Sequence, residues 1–392
     1  MMKNIRFCIF LYIGIVVINC AYAQIPLFKQ FPQCKDLIPH ISLGSFPTPI
    51  APLKSLGAAL NCNSLYIKRD DLTGKKTEEF QLYGGNKVRK LEFLLADALF
   101  NHQAKTIVTF GAAGSNHALA TAIYAHELGL NAILMLKDQP NSAVVRHNLL
   151  LDSYYNAQLQ WYPDNETRSS AANKLLKEDS KAYLIPTGGS NSIGSLGFVN
   201  AAFELADQIK TGQISEPDLI YIPIGSCGTA AGLLLGMQAA NIRSHLICVI
   251  VEPEEKQDEF LKQIKKLFVE INENLHALDA SFHLYDFPED QLVLNKKFCG
   301  TSYGVLIPEA ADAITSMQQT EQIRVEGTYS AKAIAAIIDD ASSGALEEKT
   351  VLFWNTYCGI DFSHLFEEND YKQLPVEFQS YFEGAHTEVK NY

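Results

Sequence analysis

Thr106-Ile107-Val108-Thr109-Phe110-Gly111-Ala112-Ala113-Gly114-Ser115-Asn116-His117 decides the fold. Five β-branched or aromatic residues in a row read as a buried strand, and Gly111 ends it. Small residues then turn the chain. Residues 115–128 read as a helix, with Ala118, Ala122, Ala125 and Leu128 at helical spacing. A strand feeding a helix through such a turn points free N–H groups into the crevice beyond the sheet's carboxyl edge. The same rhythm runs outward from this stretch. Residues 132–136 read as a strand, 144–151 as a helix, and 182–185 as a strand stopped by Pro186. Further on, 218–222 is a strand that leads through a glycine-rich turn into an Ala/Leu/Gly helix, and 246–251 and 350–354 are buried-strand candidates. Alternating strands and helices mean an α/β architecture with parallel sheets. No internal repeat stands out. Residues 254–278 carry Phe260, Ile264, Phe268 and Ile271 at helical spacing among charges, the pattern of a solvated surface helix.

At 392 residues the chain exceeds what one core needs, so two lobes are expected. Hydrophobic residues make up 47% and charged residues 19%, a folded composition. The net charge of −12 and the lack of a basic cluster argue against a nucleic-acid partner, so the ligand should be small. Near the start, Lys3 and Arg6 precede an apolar run over 7–18 and then Ala21-Tyr22-Ala23. That layout reads as a signal peptide over 1–23, hence an exported protein with no stable membrane insertion after cleavage. Cys20 offers a lipoprotein alternative, but Asn19 stands where a small residue is expected. Cys34, Cys62, Cys227, Cys248, Cys299 and Cys358 remain, too scattered for a stapled framework or a zinc site, and no metal is expected.

Three glycine-bearing segments carry chemistry. In Tyr83-Gly84-Gly85-Asn86-Lys87-Val88-Arg89-Lys90-Leu91-Glu92, two glycines allow a tight turn and a helix pattern starts at once. Lys87 therefore sits at a helix N-terminus, where the dipole and nearby cations lower an amine's pKa. An amine that attacks an aldehyde must first lose its proton. Lys90, one turn on, could reach an anionic group of the same ligand. In Gly111 to His117, Ser115 offers a hydroxyl, Asn116 an amide and His117 a ring that could titrate; simple N-capping is the plain alternative. In Ile224-Gly225-Ser226-Cys227-Gly228-Thr229-Ala230, a strand again opens a helix through a loop that could cradle a phosphate. No lysine follows at Walker spacing, which disfavours a nucleoside triphosphate. Thr187-Gly188-Gly189-Ser190 has similar character.

Together these segments resemble the fold-type-II pyridoxal-phosphate enzymes, in the branch of 1-aminocyclopropane-1-carboxylate deaminase and D-cysteine desulfhydrase. Matching stretches run in order through Phe46-Pro47-Thr48-Pro49, Lys68-Arg69-Asp70-Asp71-Leu72-Thr73, 84–99, Ser115-Asn116-His117, 148–152, Gly188-Gly189-Ser190, 225–233, 303–310 and Tyr329-Ser330-Ala331-Lys332. The resemblance implies two open twisted sheets with flanking helices, as in tryptophan synthase β. It also implies a large cofactor domain over 24–95 and 190–392, a small domain over 96–189, and a homodimer. It makes Lys87 the residue that binds pyridoxal 5'-phosphate as an imine and Asn116 the partner of the phenolic oxygen. Lys90 and the loop of Ser226, Cys227, Gly228 and Thr229 would hold the phosphate. Ser115, Asn116 and His117 would meet the substrate, with Ser115, Tyr303 and Tyr329 assisting catalysis.

Within the branch, the deaminases follow the tyrosine with a glutamate that pairs with the pyridine nitrogen, and they carry leucine near position 356. Here Ser330 and Thr356 stand at those places, as hydroxyl residues do in the desulfhydrases. A hydroxyl holds the ring proton less firmly, and the weaker electron sink suits α-proton removal with loss of a β-group. The expected reaction is D-cysteine to pyruvate, sulfide and ammonia. The alternatives are the cyclopropane-acid deaminase, a β-replacement enzyme, and a non-catalytic amino-acid-binding protein. Three departures bear on the substrate: an apparent insertion over 75–82, Cys227 in place of a glycine, and Asn355-Thr356-Tyr357-Cys358 in place of the family's His-Thr-Gly-Gly.

Overall fold

A computed structural model describes residues 25–76, 81–253 and 258–383. The leader read over 1–23, with Cys20, lies outside these residues, as do 77–80 of the apparent insertion. Ten strands are present among them: β1 (Ile50–Pro52), β2 (Leu65–Arg69), β3 (Thr106–Ala112), β4 (Asn131–Lys137), β5 (Gln158–Trp161), β6 (Ala182–Ile185), β7 (Leu219–Ile224), β8 (His245–Ile250), β9 (Leu292–Asn295) and β10 (Val351–Asn355). They form a six-stranded sheet in the order β1-β2-β10-β7-β8-β9 and a four-stranded sheet in the order β5-β4-β3-β6. Every pairing is parallel except β1 with β2. Helices cover both faces, which is why β7 and β10 read as nearly unbroken apolar runs.

All four strands of the smaller sheet fall between 106 and 185. The chain beyond β10, grouped on sequence with the larger domain, packs instead on the smaller sheet's core. Phe362, Leu374, Phe378 and Tyr381 are buried in one cluster with Leu119, Ile123, Leu134 and Leu149. This departs from the expected boundary: the apolar residues of 358–383 find their burial against the helices of the smaller unit.

Two features position the site. First, β10 pairs with β7 only as far as Tyr221, so Pro223, which has no N–H to give a ladder, lies beyond the pairing. A cleft opens at these carboxyl ends, lined by Pro223, Ile224 and Thr356. Second, the helix Lys87–Phe100 is clamped against the helix Ser192–Lys210. Gly197 lets the backbones touch, since a Cβ there would sit 2.1 Å from the Arg89 carbonyl oxygen. Beside that contact is a buried ionic network. Arg89 donates to Asp70 at 2.7 Å and to Glu204 at 2.9 Å, Lys68 donates to Glu204 at 2.5 Å, and the Trp354 indole donates to Asp70 at 2.7 Å. Burial alone would raise Glu204, but Arg89 and Lys68 outweigh it and hold the carboxyl down to about 2. Burial lowers the Lys68 amine, with Glu204 working against the shift. The network joins β2, β10 and both helices.

The six cysteines among the described residues are all free, and no described helix is long and apolar enough to cross a membrane.

Candidate active site

Between the two sheets lies a cleft of about 490 Å³. Lys87 enters it as the first residue of the helix Lys87–Phe100. The preceding turn needs Gly85, which has a φ of +91° and packs against the Thr356 carbonyl oxygen, 2.9 Å from where a Cβ would stand. The Lys87 amine donates to Asn86 Oδ1 at 2.9 Å and lies 5.9 Å from the centre of the Tyr329 ring. Burial lowers its pKa to about 8, with the Glu326 carboxylate working against the shift. It is a buried amine that sheds its proton readily.

Tyr303 and Tyr329 face the same cleft, with their hydroxyls 2.9 Å apart. Burial raises both phenols, so each keeps its proton and acts as a hydrogen-bonding acid.

Ser115 caps the helix Asn116–Glu127, accepting from the Ala118 N–H at 3.2 Å. Capping and lining coexist here, because Ser115 also borders the cleft. Asn116 Oδ1 accepts from the Tyr83 hydroxyl at 3.2 Å and from Asn148 Nδ2 at 3.1 Å. With its oxygen engaged, the amide offers its NH₂ to a ligand. The expectation of a titrating His117 needs correction. The Thr109 hydroxyl donates to the Ile185 carbonyl at 2.9 Å, so it accepts from His117 Nε2 at 3.0 Å, which fixes that nitrogen as protonated. Burial, then the Lys87 and Lys90 charges, hold the ring well below its ordinary pKa. His117 borders the cleft as a neutral, buried imidazole.

The phosphate-cradle residues converge beneath Lys87. Lys90 is buried, and its amine donates to the Gly188 carbonyl and to Ser190 Oγ, both at 3.0 Å and both uncharged. Ser190 Oγ is the hub, 2.8 Å from Ser226 Oγ and accepting from the Gly228 N–H at 3.2 Å. The N-cap residue of the helix Gly228–Ala239, Cys227, gives it no side-chain cap, and Ser190 takes only the Gly228 N–H. Ser226 and Thr229 line the cleft. Cys227 takes a left-handed φ of +64° where the resemblance expects glycine, and its thiol turns toward the Phe260 carbonyl and Gln263. Only its backbone is left to serve a phosphate.

Ser330 is the clearest departure. Its hydroxyl accepts from the Glu326 N–H at 2.8 Å inside the turn that starts the helix Ser330–Ser342, and it does not line the cleft. Thr356 does line it. Glu326, which sequence reasoning missed, borders the cleft with its carboxylate accepting from the N–H groups of Thr328, Tyr329 and Ser330. Ser190, Tyr83 and Arg168 were missed as well. Ser190 and Tyr83 sat in quoted motifs, and Arg168 gave no local signal.

A buried lysine with only neutral partners, a helix start whose own N-cap gives no side-chain cap, an amide NH₂ and a poised amine suit a ligand bearing a phosphate, a phenolic oxygen and an aldehyde. Comparison with known proteins agrees. The family model described as pyridoxal-phosphate dependent enzyme matches residues 41–356. A Pyrococcus abyssi protein, provisionally named a 1-aminocyclopropane-1-carboxylate deaminase, is 34% identical over 81% of this chain and 91% of its own. D-cysteine desulfhydrase of Serratia proteamaculans is 32% identical over 81% and 93%. The crystal structure of an ACC deaminase homologue superposes with a TM-score of 0.70 at 32% identity, covering 85% of this chain and 95% of that one.

Proposed function

The chain belongs to the pyridoxal-phosphate-dependent enzymes of fold type II, in the deaminase and desulfhydrase branch, and we propose that within it the protein is a D-cysteine desulfhydrase-like lyase. On this reading it converts a small amino acid to pyruvate, ammonia and the departing β-group. The observation that carries it is Lys87: a buried amine brought down to about 8, facing a cleft shared with the Tyr303–Tyr329 pair.

Lys90, Ser190, Ser226 and the N–H groups at the start of Gly228–Ala239 would hold the phosphate, and the Asn116 NH₂ would meet the phenolic oxygen. When bound, pyridoxal phosphate supplies an electron sink conjugated to the substrate's α-carbon. Ser115 and the N-terminus of its helix favour the substrate carboxylate. Lys87, its amine brought down to about 8, would serve as the base that takes the substrate's α-proton. The phenols of Tyr303 and Tyr329 remain protonated and can donate to the group that leaves.

The support for elimination over ring opening is narrower than a hydroxyl at 330, because that side chain is turned away. It rests on Thr356 at the cleft and on Glu326 being bridged by three backbone donors, which leaves it little capacity to pair with a ring nitrogen. The second reading, cyclopropane-acid deamination, draws on that same carboxylate at the wall and on the names of the relatives. Assaying D-cysteine and 1-aminocyclopropane-1-carboxylate side by side separates them. Pyruvate and sulfide from the first, with no 2-oxobutanoate from the second, is the expected result; the converse sinks the proposal.

A further inference from the structure

Arg168 is a buried cation at the cleft that the lyase reading leaves unused. It is 7% exposed, lines the cleft, and reaches it from the helix Asn165–Glu178 at the carboxyl end of the smaller sheet. One terminal nitrogen donates to the Gly111 carbonyl at 2.9 Å and the other to Asn165 Oδ1 at 3.0 Å, while the guanidinium lies 4.6 Å from the centre of the Phe110 ring. Every one of these partners is uncharged. The Nε–H is buried with no partner at all. A guanidinium carries five donors and a full charge, and none of its partners here is an anion, so a ligand anion in the cleft would be the first to match that charge.

Two aspartates near it are committed elsewhere. Asp138, on the same wall, accepts from the Trp161 indole and the Tyr381 hydroxyl. Asp164 caps its helix by accepting from the Thr167 N–H. Arg168 thus has no counter-anion among the described residues. Arg168 is bonded to the Gly111 carbonyl on β3 of the smaller sheet, whereas the phosphate cradle is built from Lys90, Ser190 and the start of Gly228–Ala239, and the two share no residue. The α-carboxylate has its own donors at Ser115 and the helix that follows.

Resting on the lyase reading above, we propose that Arg168 forms an anion subsite for the substrate's side chain, so that the preferred substrates are amino acids with a second acidic group at or beyond the β-position. The guanidinium recognises a carboxylate or a sulfonate alike.

The test uses holoenzyme and two ligands that differ only in charge: S-carboxymethylcysteine and its neutral amide, S-carbamoylmethylcysteine, each as both enantiomers. Calorimetric dissociation constants should favour the acid by about 10- to 100-fold, the range for hydrogen bonds to a charged group. Arg168→Gln should bring the ratio of the two constants to near one, and Arg168→Lys should keep part of it. A wild-type ratio near one, binding of neither ligand, or an Arg168→Gln variant that weakens both ligands equally overturns the subsite; the last outcome would assign Arg168 to the α-carboxylate or to the wall itself. Should the glutamine variant not fold, the wild-type ratio and the lysine variant still decide. The cofactor's absorbance is read first. Protein that binds no pyridoxal phosphate defeats the lyase reading, whereas cofactor-loaded protein with a ratio near one defeats only the subsite.

Discussion

Lys87, half-buried, and Lys90, buried, stand one helical turn apart, yet their surroundings ask opposite things of them. Lys87 must be neutral to act, and burial brings it to about 8. Its ordinary value is 10.5, so below about pH 8 the ammonium dominates and the nucleophile is scarce. Covalent capture of added pyridoxal phosphate by cofactor-free protein should therefore rise with pH and level off above about 8, as followed by absorbance. The linkage sign agrees. Between about 8 and 10.5 the unfolded chain still holds a proton that native Lys87 has released, so cofactor-free protein gains stability across that window, and Lys87→Met should lose the gain in urea titrations at pH 8 and 10. Lys90, by contrast, is depressed by burial and by Lys87, and an anion beside it would favour its charged form. Lys90→Met should leave the cofactor-free protein folded but weaken pyridoxal phosphate binding by about 10- to 100-fold, read by fluorescence titration.

At the scale of elements, the catalytic helix is held by the buried network and the close contact at Gly197. Glu204→Gln removes a carboxylate that two cations share, and it should cost about 3–5 kcal/mol in denaturant unfolding. Because Glu204 is held at about 2, below its ordinary 4.5, its contribution is fully present above about pH 4.5 and fades as pH falls through 2. Gly197→Ala would press a methyl group on the Arg89 carbonyl, costing about 1–3 kcal/mol and loosening the start of the lysine helix. Much of this scale was legible in sequence. The strand at 182–185 coincides with β6, and the helix read over 115–128 is Asn116–Glu127, because apolar periodicity and small-residue turns are local signals. β1, β5 and β9 are three or four residues long and carry too little pattern to stand out. Ser330 misled for another reason. Position in a motif gives no direction for a side chain, and Glu326 draws this one into a helix start. Arg168 and Glu326 reach the cleft from segments distant in sequence, so nothing near them announces it.

For the whole molecule, the cleft joins two sheets whose chain segments interleave, with residues 358–383 returning to the smaller sheet after β10. A ligand that bridges both sides binds the folded form alone, so saturating pyridoxal phosphate should raise stability by about 2.7 kcal/mol at a hundredfold excess over its dissociation constant. The rise should shrink in Lys90→Met at the same concentration, to about 0.4–1.4 kcal/mol, as a 10- to 100-fold weaker affinity requires. The central claim is that a single amine, Lys87, holds the cofactor. Borohydride reduction of the loaded enzyme, followed by peptide mapping, tests it most directly. The account predicts one reduced pyridoxyl group, on the peptide containing Lys87, and none after Lys87→Ala; modification at Lys90 or another lysine, or persistence of the label in that variant, would contradict it.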